Sequence, residues 1–212
     1  MTETGYTNET IRKHLRLDVE LIQDENLRNT CKSLWLDERF RDMDLAPAAL
    51  SWHHNYEGGL IAHTGEVTHI AVNAAEKSII RVNLDVLVAA AVWHDVAKIQ
   101  EYELCFASNR EDLPAKHLEI SVDDLGSIRY WKTGEFYKRI YHISGSAMEF
   151  HHHAMKHGVD ELLARKVEHC ILSHHGPVKD WGSPVEPQSL EALILHHADM
   201  VSSKFGPAMR KP

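Results

Sequence analysis

The chain has 212 residues, of which 43% are hydrophobic and 25% are charged. This composition is typical of a folded globular protein and excludes a disordered chain, and the length suits a single domain. With 23 Lys and Arg residues against 31 Asp and Glu residues, the formal net charge is −8. That balance argues against a protein that holds long nucleic acid through phosphate contacts alone.

Neither a membrane span nor an export signal is visible in the sequence. The longest apolar run, 86–93, is far shorter than the roughly 20 residues that cross a bilayer. The first ten residues contain neither a basic patch nor an apolar segment. Three widely spaced cysteines without a C-x-x-C motif are typical of a reducing compartment. We therefore expect a cytoplasmic protein with no membrane segment.

Apolar residues at spacings of three and four predict helices along most of the chain. The predicted helices are a short one capped by Asn8 or Thr10, a longer one at 18–36, a short one after Pro47, and five more at 60–78, 83–95, 135–157, 160–175 and 189–204. The helical pattern fails between 101 and about 134, where alternating apolar residues predict two short strands, 102–106 and 118–122. We therefore expect an all-α helical bundle with a short hairpin or loop excursion around 102–134.

Histidine is the unusual residue of this chain, with 17 copies that fall in clusters. The pair His94-Asp95 ends an apolar helix, where an unpaired buried carboxylate would be costly. Asp199 lies inside another apolar helix, and the pair His174-His175 closes a third. A cation beside these groups would remove the cost of burying the carboxylates, and histidine is the commonest metal ligand. The clusters therefore predict the location of the functional site.

Taken in order, His63, His94-Asp95 and Asp199 resemble the H…HD…D signature of the HD superfamily of metal-dependent phosphohydrolases. Within that superfamily, the motifs are most similar to the catalytic domain of bacterial HD-type 3′-5′ exoribonucleases. The segments that carry the resemblance are 53–64 (HHNYEGGLIAHT), 93–99 (WHDVAKI), 141–145 (YHISG), 172–176 (LSHHG), 182–185 (GSPV) and 191–199 (EALILHHAD). The resemblance implies a single HD domain over 1–212, with a helical N-terminal extension at 1–46 and a metal-binding core at 47–205.

The resemblance also implies two divalent transition metals that share one carboxylate. The first ion would take His63, His94, Asp95 and Asp199, and the second would take Asp95, His142, His174 and His175. Nitrogen and oxygen donors without thiolate suit Mn, Fe, Co, Ni or Zn and give no preference for Mg or Ca. Two such cations lower the pKa of a shared water, and the resulting hydroxide attacks phosphorus. The implied activity is a phosphohydrolase or phosphodiesterase that acts on nucleotides or on the 3′ end of a single-stranded nucleic acid.

Four residues are expected to contact the substrate. Lys98 lies one helical turn after Asp95, and its ammonium can hold a phosphate oxygen in the transition state. A salt bridge to a nearby carboxylate is its structural alternative. The resemblance places His54 and Tyr56 near the pocket, while Lys204 either contacts the substrate or faces solvent.

Two other clusters have both a functional and a structural explanation. The run 151–153 could chelate an ion together with His157, but it lacks an acidic or cysteine partner, so we favour surface histidines. The basic and aromatic residues at 130–139 could form a stacking rim for a substrate. A solvated face over core aromatics is the favoured explanation for this second cluster.

Two alternative functions stay open. A protein resembling myo-inositol oxygenase would use a similar ligand set to hold two irons and activate oxygen, although His174-His175 and the motif at 53–64 argue against it. The other alternative is a non-catalytic nucleotide-binding scaffold, which the intact ligand set and Lys98 disfavour. The exoribonucleases also carry an OB fold, for which this chain has no room. A nucleotide, a short oligonucleotide or a separately recruited strand is therefore at least as plausible a substrate as RNA that is degraded processively, and the oligomeric state stays open.

Overall fold

The computed structural model describes residues 7–177 and 182–205, so residues 1–6, 178–181 and 206–212 of the predicted domain lie outside the described residues. The helices are α1 (Asn8–Val19), α2 (Glu25–Ser33), a 3-10 helix (Glu38–Asp44), α3 (Gly59–Lys77), α4 (Leu84–Trp93), α5 (Lys98–Glu101), α6 (Glu135–Arg139), α7 (His142–Lys156), α8 (Glu161–Ser173) and α9 (Leu190–Phe205). The strands are β1 (Tyr102–Ala107), β2 (Leu118–Val122) and β3 (Ile128–Thr133), and a 3-10 turn (Arg110–Asp112) follows β1.

Helix α4 lies at the centre of the bundle. Its residues 86–93 are apolar and all buried, and α1, α2, α3, α7, α8 and α9 contact it. A helix that is hydrophobic on every face has to be surrounded in this way. Asn83 caps its start by accepting a hydrogen bond from the Val86 N–H. Because His94 and Asp95 directly follow α4, they lie in the middle of the molecule.

The largest hydrophobic cluster of the described residues includes side chains from the N-terminal helices as well as from the rest of the bundle. Leu15 of α1 and Leu27 of α2 share this cluster with Leu195 of α9. Trp93 and Phe150 are fully buried in it and pack edge to face, with ring centroids 5.9 Å apart. The helices before residue 46 are therefore packed into the same core as the helices that carry the candidate site.

The predicted helices at 60–78, 83–95, 160–175 and 189–204 are confirmed, with ends within two residues of those predicted. Asp160 caps α8 by accepting a hydrogen bond from the Leu163 N–H. Beyond its last turn, Gly176 has a φ of +84°, and its N–H donates to the Ser173 carbonyl. A residue with a Cβ rarely adopts this conformation, which is why glycine ends the helix here.

The single helix predicted at 18–36 is wrong. Helix α1 ends at Val19, and after five intervening residues α2 begins under a cap from Asp24, whose side chain accepts from the Leu27 N–H. The carboxylate of Asp85 holds the intervening turn, since it accepts hydrogen bonds from the N–H groups of Gln23 and Asp24, each at 2.8 Å. A contact between residues 61 and 62 positions apart therefore overrides the local helical pattern.

Three other helix predictions also need correction. Thr7 caps α1, one residue before the earliest predicted cap. No helix follows Pro47, because the Ala48 N–H donates to the carbonyl of His54 and the chain there is irregular. The helix predicted at 135–157 is divided into α6 and α7 by extended backbone at 140–141. This break places His142 at the first turn of α7.

The expectation of an all-α fold is right for the bundle but wrong for the segment between α5 and α6. There β1, β3 and β2 form a three-stranded antiparallel sheet in that order. The strands predicted at 102–106 and 118–122 exist, but they do not pair with each other, because β3 lies between them. Strand β3 was not predicted because its apolar and polar residues do not alternate: Tyr130 and Trp131 are consecutive, and both are buried.

Candidate metal centre and adjoining cavity

The carboxylate of Asp95 lies between two pairs of histidines. Its Oδ2 is 3.4 Å from His63 Nε2 and 3.5 Å from His94 Nε2. Its Oδ1 is 3.4 Å from His142 Nε2 and 3.6 Å from His174 Nε2. All five side chains are almost completely buried. One carboxylate therefore faces imidazole nitrogens with each of its two oxygens.

Two further residues complete the cluster. Asp199 of α9 places its Oδ1 3.1 Å from His63 Nε2, and His175 places its Nε2 3.4 Å from His142 Nε2. Donor atoms lie within 4.8 Å of one another in each of three groups, which are His63, His94 and Asp199; His94, Asp95 and His174; and His142, His174 and His175. All seven residues predicted as metal ligands thus lie together, although they come from α3, α7, α9 and the ends of α4 and α8.

Backbone carbonyls fix the orientation of two of the histidines. The Nδ1 of His94 lies 2.8 Å from the carbonyl of Ala91, and the Nδ1 of His174 lies 2.6 Å from that of Ile171. Since a carbonyl can only accept, each Nδ1 carries the proton and donates it. Each Nε2 then presents its lone pair to Asp95, which is the arrangement that metal-binding histidines adopt.

His63 is oriented by a side-chain relay that sequence reasoning did not predict. Its Nδ1 lies 2.9 Å from Ser202 Oγ, and that hydroxyl donates to Glu66 Oε2, also at 2.9 Å. The same carboxylate oxygen lies 3.2 Å from His54 Nε2. Glu66 follows His63 by three residues on α3, but Ser202 lies on α9, so only the packing of these two helices reveals the relay.

We expect the exchange Glu66→Gln to weaken divalent-metal binding about 10-fold, because a carboxylate behind a ligand histidine raises the basicity of that histidine and fixes its ring. The dissociation constant for Mn²⁺ or Co²⁺, measured by competition with a chromophoric chelator, tests this. The matched control is Glu57→Gln, since Glu57 pairs with Arg129 at the surface and should leave the constant unchanged. Equal constants for the two variants would remove Glu66 from the orienting relay.

The pKa values of the site follow from burial opposed by close charges. Burial alone would raise the pKa of Asp95, but Lys98, with its Nζ 2.6 Å from Asp95 Oδ2, and the histidines hold it well below its usual range. The pKa of Lys98 is raised despite burial, because Asp95 stabilises the ammonium. Burial lowers the pKa of His94 and His142. Asp95 is therefore ionised, and His94 and His142 are neutral, which are the protonation states that bind a cation.

Glu101 adds a buried carboxyl that the sequence analysis did not assign to the site. Its Oε2 lies 2.8 Å from His142 Nδ1, although the two atoms are not aligned for a hydrogen bond. Burial raises the pKa of Glu101 to about 8; Lys98 lowers this value and Asp95 raises it. The group is therefore available to support His142 from the side opposite to the carboxylate of Asp95.

The residues present fit a divalent cation. Asp95 Oδ1 and His174 Nε2 are buried and have no hydrogen-bond partner among the described residues. An unpaired buried polar atom is costly, and a metal ion would satisfy both atoms. The donors are imidazole nitrogens and carboxylate oxygens without thiolate, a set that suits first-row transition metals.

A cavity of about 750 Å³ adjoins the cluster. Buried residues form its floor, among them Lys98, His142 and Asp199. Exposed residues form its rim, among them Lys116 and Lys204. Two of the four predicted substrate contacts, Lys98 and Lys204, therefore line the cavity.

The other two predicted substrate contacts do not line it. His54 is fully buried behind His63, next to Glu66, and the ring of Tyr56 is 6.0 Å from that of His54. Instead, the neighbouring His53 lines the cavity. Burial lowers the pKa of His53 to about 2, with the nearby charges of His63 and Lys98 adding to this effect.

The two clusters for which a structural explanation is favoured, 151–153 and 130–139, contribute contacts that stabilise the fold. In the run 151–153, His151 contacts Glu168, with Nδ1 2.7 Å from Oε1, and His153 is buried against Trp93. In the segment 130–139, Lys132 and Lys138 pair with glutamates, while Tyr130 and Trp131 are buried. Thr133 and Tyr137 of the second segment line the cavity.

We expect His153→Ala to lower the free energy of unfolding by about 1–3 kcal/mol. The reason is that His153 Nδ1 lies 2.8 Å from Ser33 Oγ and its ring packs on Trp93. Urea unfolding measures the loss, and the metal content of the purified protein should stay unchanged. The control is the exposed neighbour His152→Ala, which should cost less than about 0.5 kcal/mol. Loss of metal from the His153 variant would instead make this run a metal site.

The chain belongs to the HD domain family, whose family model matches residues 60–204. This range contains all seven residues of the cluster, and the family predicted from the sequence motifs is confirmed. Every helix in the described residues is too short or too polar to traverse a lipid bilayer.

Curated relatives of the chain include two kinds of enzyme. Dihydroneopterin 2′,3′-cyclic phosphate phosphodiesterase of Methanocaldococcus jannaschii is 34% identical over 165 residues, which are 76% of this chain and 52% of that protein. The 3′-5′ exoribonuclease YhaM of Bacillus pumilus is 30% identical over 163 residues, 75% of this chain and 43% of the relative. The chain thus spans about half the length of the curated relatives it matches. No solved structure gives a significant match.

Proposed function

We propose that the chain is a metal-dependent phosphohydrolase or phosphodiesterase that acts on nucleotides or on the 3′ end of a single-stranded nucleic acid. The observation that carries the proposal is the carboxylate of Asp95, which is buried among four histidines and pairs with Lys98, a residue that lines the floor of the cavity. The names of the relatives support the same reaction class, since both kinds of enzyme cleave phosphodiester bonds.

Two divalent ions from the set Mn, Fe, Co, Ni and Zn are proposed for the cluster. His63, His94, Asp95 and Asp199 would hold one ion, and Asp95, His142, His174 and His175 would hold the other. Ions bound there would polarise a phosphate oxygen and lower the pKa of water at the site. The histidines are suited to this task because burial keeps His94 and His142 neutral.

The remaining residues of the site position and stabilise the phosphate. Lys98 is buried, and its ammonium is held against Asp95. A fixed cation in a site that excludes water stabilises the negative charge that develops on a phosphoryl group, and it needs no reorganisation to do so. Lys204 at the rim adds a second positive charge on the approach to the floor. These cations give the phosphate a local binding site on a chain whose net charge is −8.

We also propose that the helices at 1–46 and the core at 47–205 form one domain. Leu15 and Leu27 are buried in the same cluster as Leu87 of α4 and Leu195 of α9. Unfolding followed by both tryptophan fluorescence and circular dichroism should give coincident transitions. Two separate transitions would instead indicate two domains.

The test is hydrolysis by the purified protein in Mn²⁺ of bis(p-nitrophenyl) phosphate, 2′,3′-cyclic AMP and a 3′-labelled oligonucleotide. Cleavage of any of these, absent without metal, supports the proposal. Oxygen uptake by the iron-loaded protein without phosphodiester cleavage would establish the oxygenase alternative instead. Nucleotide binding without turnover under any metal would establish the non-catalytic scaffold.

A further inference from the structure

Three large aromatic side chains are exposed around the cavity instead of packing in the core. Trp52 is 77% exposed, Tyr137 is 42% exposed and Tyr141 is 38% exposed, and all three line the cavity. Scattered exposed aromatic residues need no explanation, but a group at the mouth of one cavity marks a binding surface. We call these three residues the aromatic wall.

The aromatic wall extends from the rim to the candidate metal centre. The ring of Tyr141 is 4.3 Å from the ring of His142 and 6.3 Å from that of His175. On its other side, Tyr141 packs edge to face with Tyr137 at 5.7 Å. A ligand whose phosphate lies at the metal centre would therefore place the rest of its structure beside these rings.

Charges in the cavity are arranged to receive an anion at one end. Lys98 lies at the floor, while Lys116 and Lys204 lie at the rim. Asp199 also lies at the floor, and Asp95 is buried next to Lys98; both carboxylates belong to the set that fits metal ions. With divalent ions held by these carboxylates, Lys98 and the ions would together present positive charge to a phosphate group at the floor, and the aromatic faces near the rim would be available for an uncharged ring.

The volume of the cavity limits the size of what it holds. At about 750 Å³, it lies within the range of pockets that enclose one small molecule of drug size. A single nucleotide or a similar heterocyclic phosphate fits this volume, whereas a longer strand would have to continue outside. The relevant ligand is therefore one ring-bearing unit with its phosphate.

We propose that the aromatic wall binds the heterocycle of a phosphate ester whose phosphate group lies at the metal centre, so that the wall selects ring-bearing substrates. This inference rests on the proposed function and adds the recognition element to it. Stacking on aromatic side chains tolerates many heterocycles, because every base has a π-face. The heterocycle belongs either to a free nucleotide or to the terminal nucleotide of a strand.

The test compares two substrates that carry the same reacting group. One is 2′,3′-cyclic AMP, and the other is glycerol 1,2-cyclic phosphate, which has the cyclic phosphodiester but no aromatic ring. For Tyr137→Leu, we expect kcat/KM to fall about 10-fold on the nucleotide and less than twofold on the ring-free ester. The conservative exchange Tyr137→Phe should retain the activity on both substrates, because it keeps the stacking face.

The matched control is Phe106→Leu, since Phe106 is 68% exposed but does not line the cavity. It should change neither rate. A similar exchange, Trp52→Leu, should reproduce the selective loss. Equal losses of kcat/KM on the two substrates would overturn the inference. It would also be overturned if neither Tyr137→Leu nor Trp52→Leu lost activity on the nucleotide.

A third arm separates the two sources of the heterocycle. A 10-fold loss on a 3′-labelled tri-adenylate places the terminal nucleotide of a strand on the wall, and a loss confined to cyclic AMP restricts the wall to free nucleotides. Failure of the wild type to hydrolyse any ester would refute the proposed function and leave the inference testable by calorimetry. In that case AMP should still bind the wild type about 10-fold more tightly than it binds Tyr137→Leu, and equal affinities would overturn the inference.

Discussion

The exchange Asp95→Asn is expected to reduce phosphodiesterase activity about 1,000-fold or more, a loss of the size that follows removal of a central group in metal-ion catalysis. Each oxygen of this carboxylate faces two histidines, so the amide disrupts both halves of the cluster at once. It also leaves the buried ammonium of Lys98 without its counter-charge. Metal content by mass spectrometry and turnover with Mn²⁺ measure the effect.

Because an unpaired buried charge can destabilise a protein by several kcal/mol, a second variant separates loss of chemistry from loss of fold. Asp199→Asn removes a carboxylate that contacts His63, while the ion pair between Lys98 and Asp95 is kept. We expect the same collapse of activity with a helical circular dichroism spectrum like that of the wild type. Full activity with bound metal in both variants would place the reacting centre elsewhere.

Removal of metal with a strong chelator is expected to abolish activity and to lower the melting temperature by about 10 °C. A ligand at 1,000 times its dissociation constant stabilises a protein by about 4 kcal/mol, and each kcal/mol shifts the transition of a chain this size by about 2–4 °C. Differential scanning fluorimetry before and after chelation measures the shift. Mn²⁺, Co²⁺, Ni²⁺ or Zn²⁺ should restore both properties more effectively than Mg²⁺.

The control for this experiment is the same titration on Asp95→Asn. If the stabilisation arises at the cluster, added metal should raise the melting temperature of the wild type and not that of the variant. An equal rise in both proteins would assign the stabilisation to other sites, and activity that survives exhaustive chelation would contradict a metal-dependent reaction.

Much of the candidate site could be predicted from the sequence, because polar groups inside apolar helices are conspicuous. His94-Asp95 follows a helix that is buried on all sides, and Asp199 interrupts the apolar pattern of α9. Burial of a carboxylate demands a partner, so the sequence alone indicates that something positive lies nearby. The arrangement of these groups around Asp95 agrees with that argument, although their role as ligands stays a prediction.

The supporting residues could not be predicted in the same way. Glu66 and Ser202 are a partly exposed acid and a small polar residue, both common on helix surfaces. Their relay to His63 depends on how α3 packs against α9, which periodicity does not specify. The turn between α1 and α2 could not be predicted for the same reason, since Asp85 accepts hydrogen bonds from backbone N–H groups about 60 residues away. Contacts distant in sequence decided each of these features.

The connection of the sheet to the bundle has a consequence for divergence within the family. Tyr102 at the start of β1 pairs with Thr133 at the end of β3, and the Gly134 N–H donates to the Glu101 carbonyl. The polypeptide thus departs from the helices and returns to them at a single point. Insertions or deletions near the exposed turn at Gly126 can therefore accumulate without changing the distance in space between Asp95 and His142. Homologues with different substrates are expected to vary in length here first.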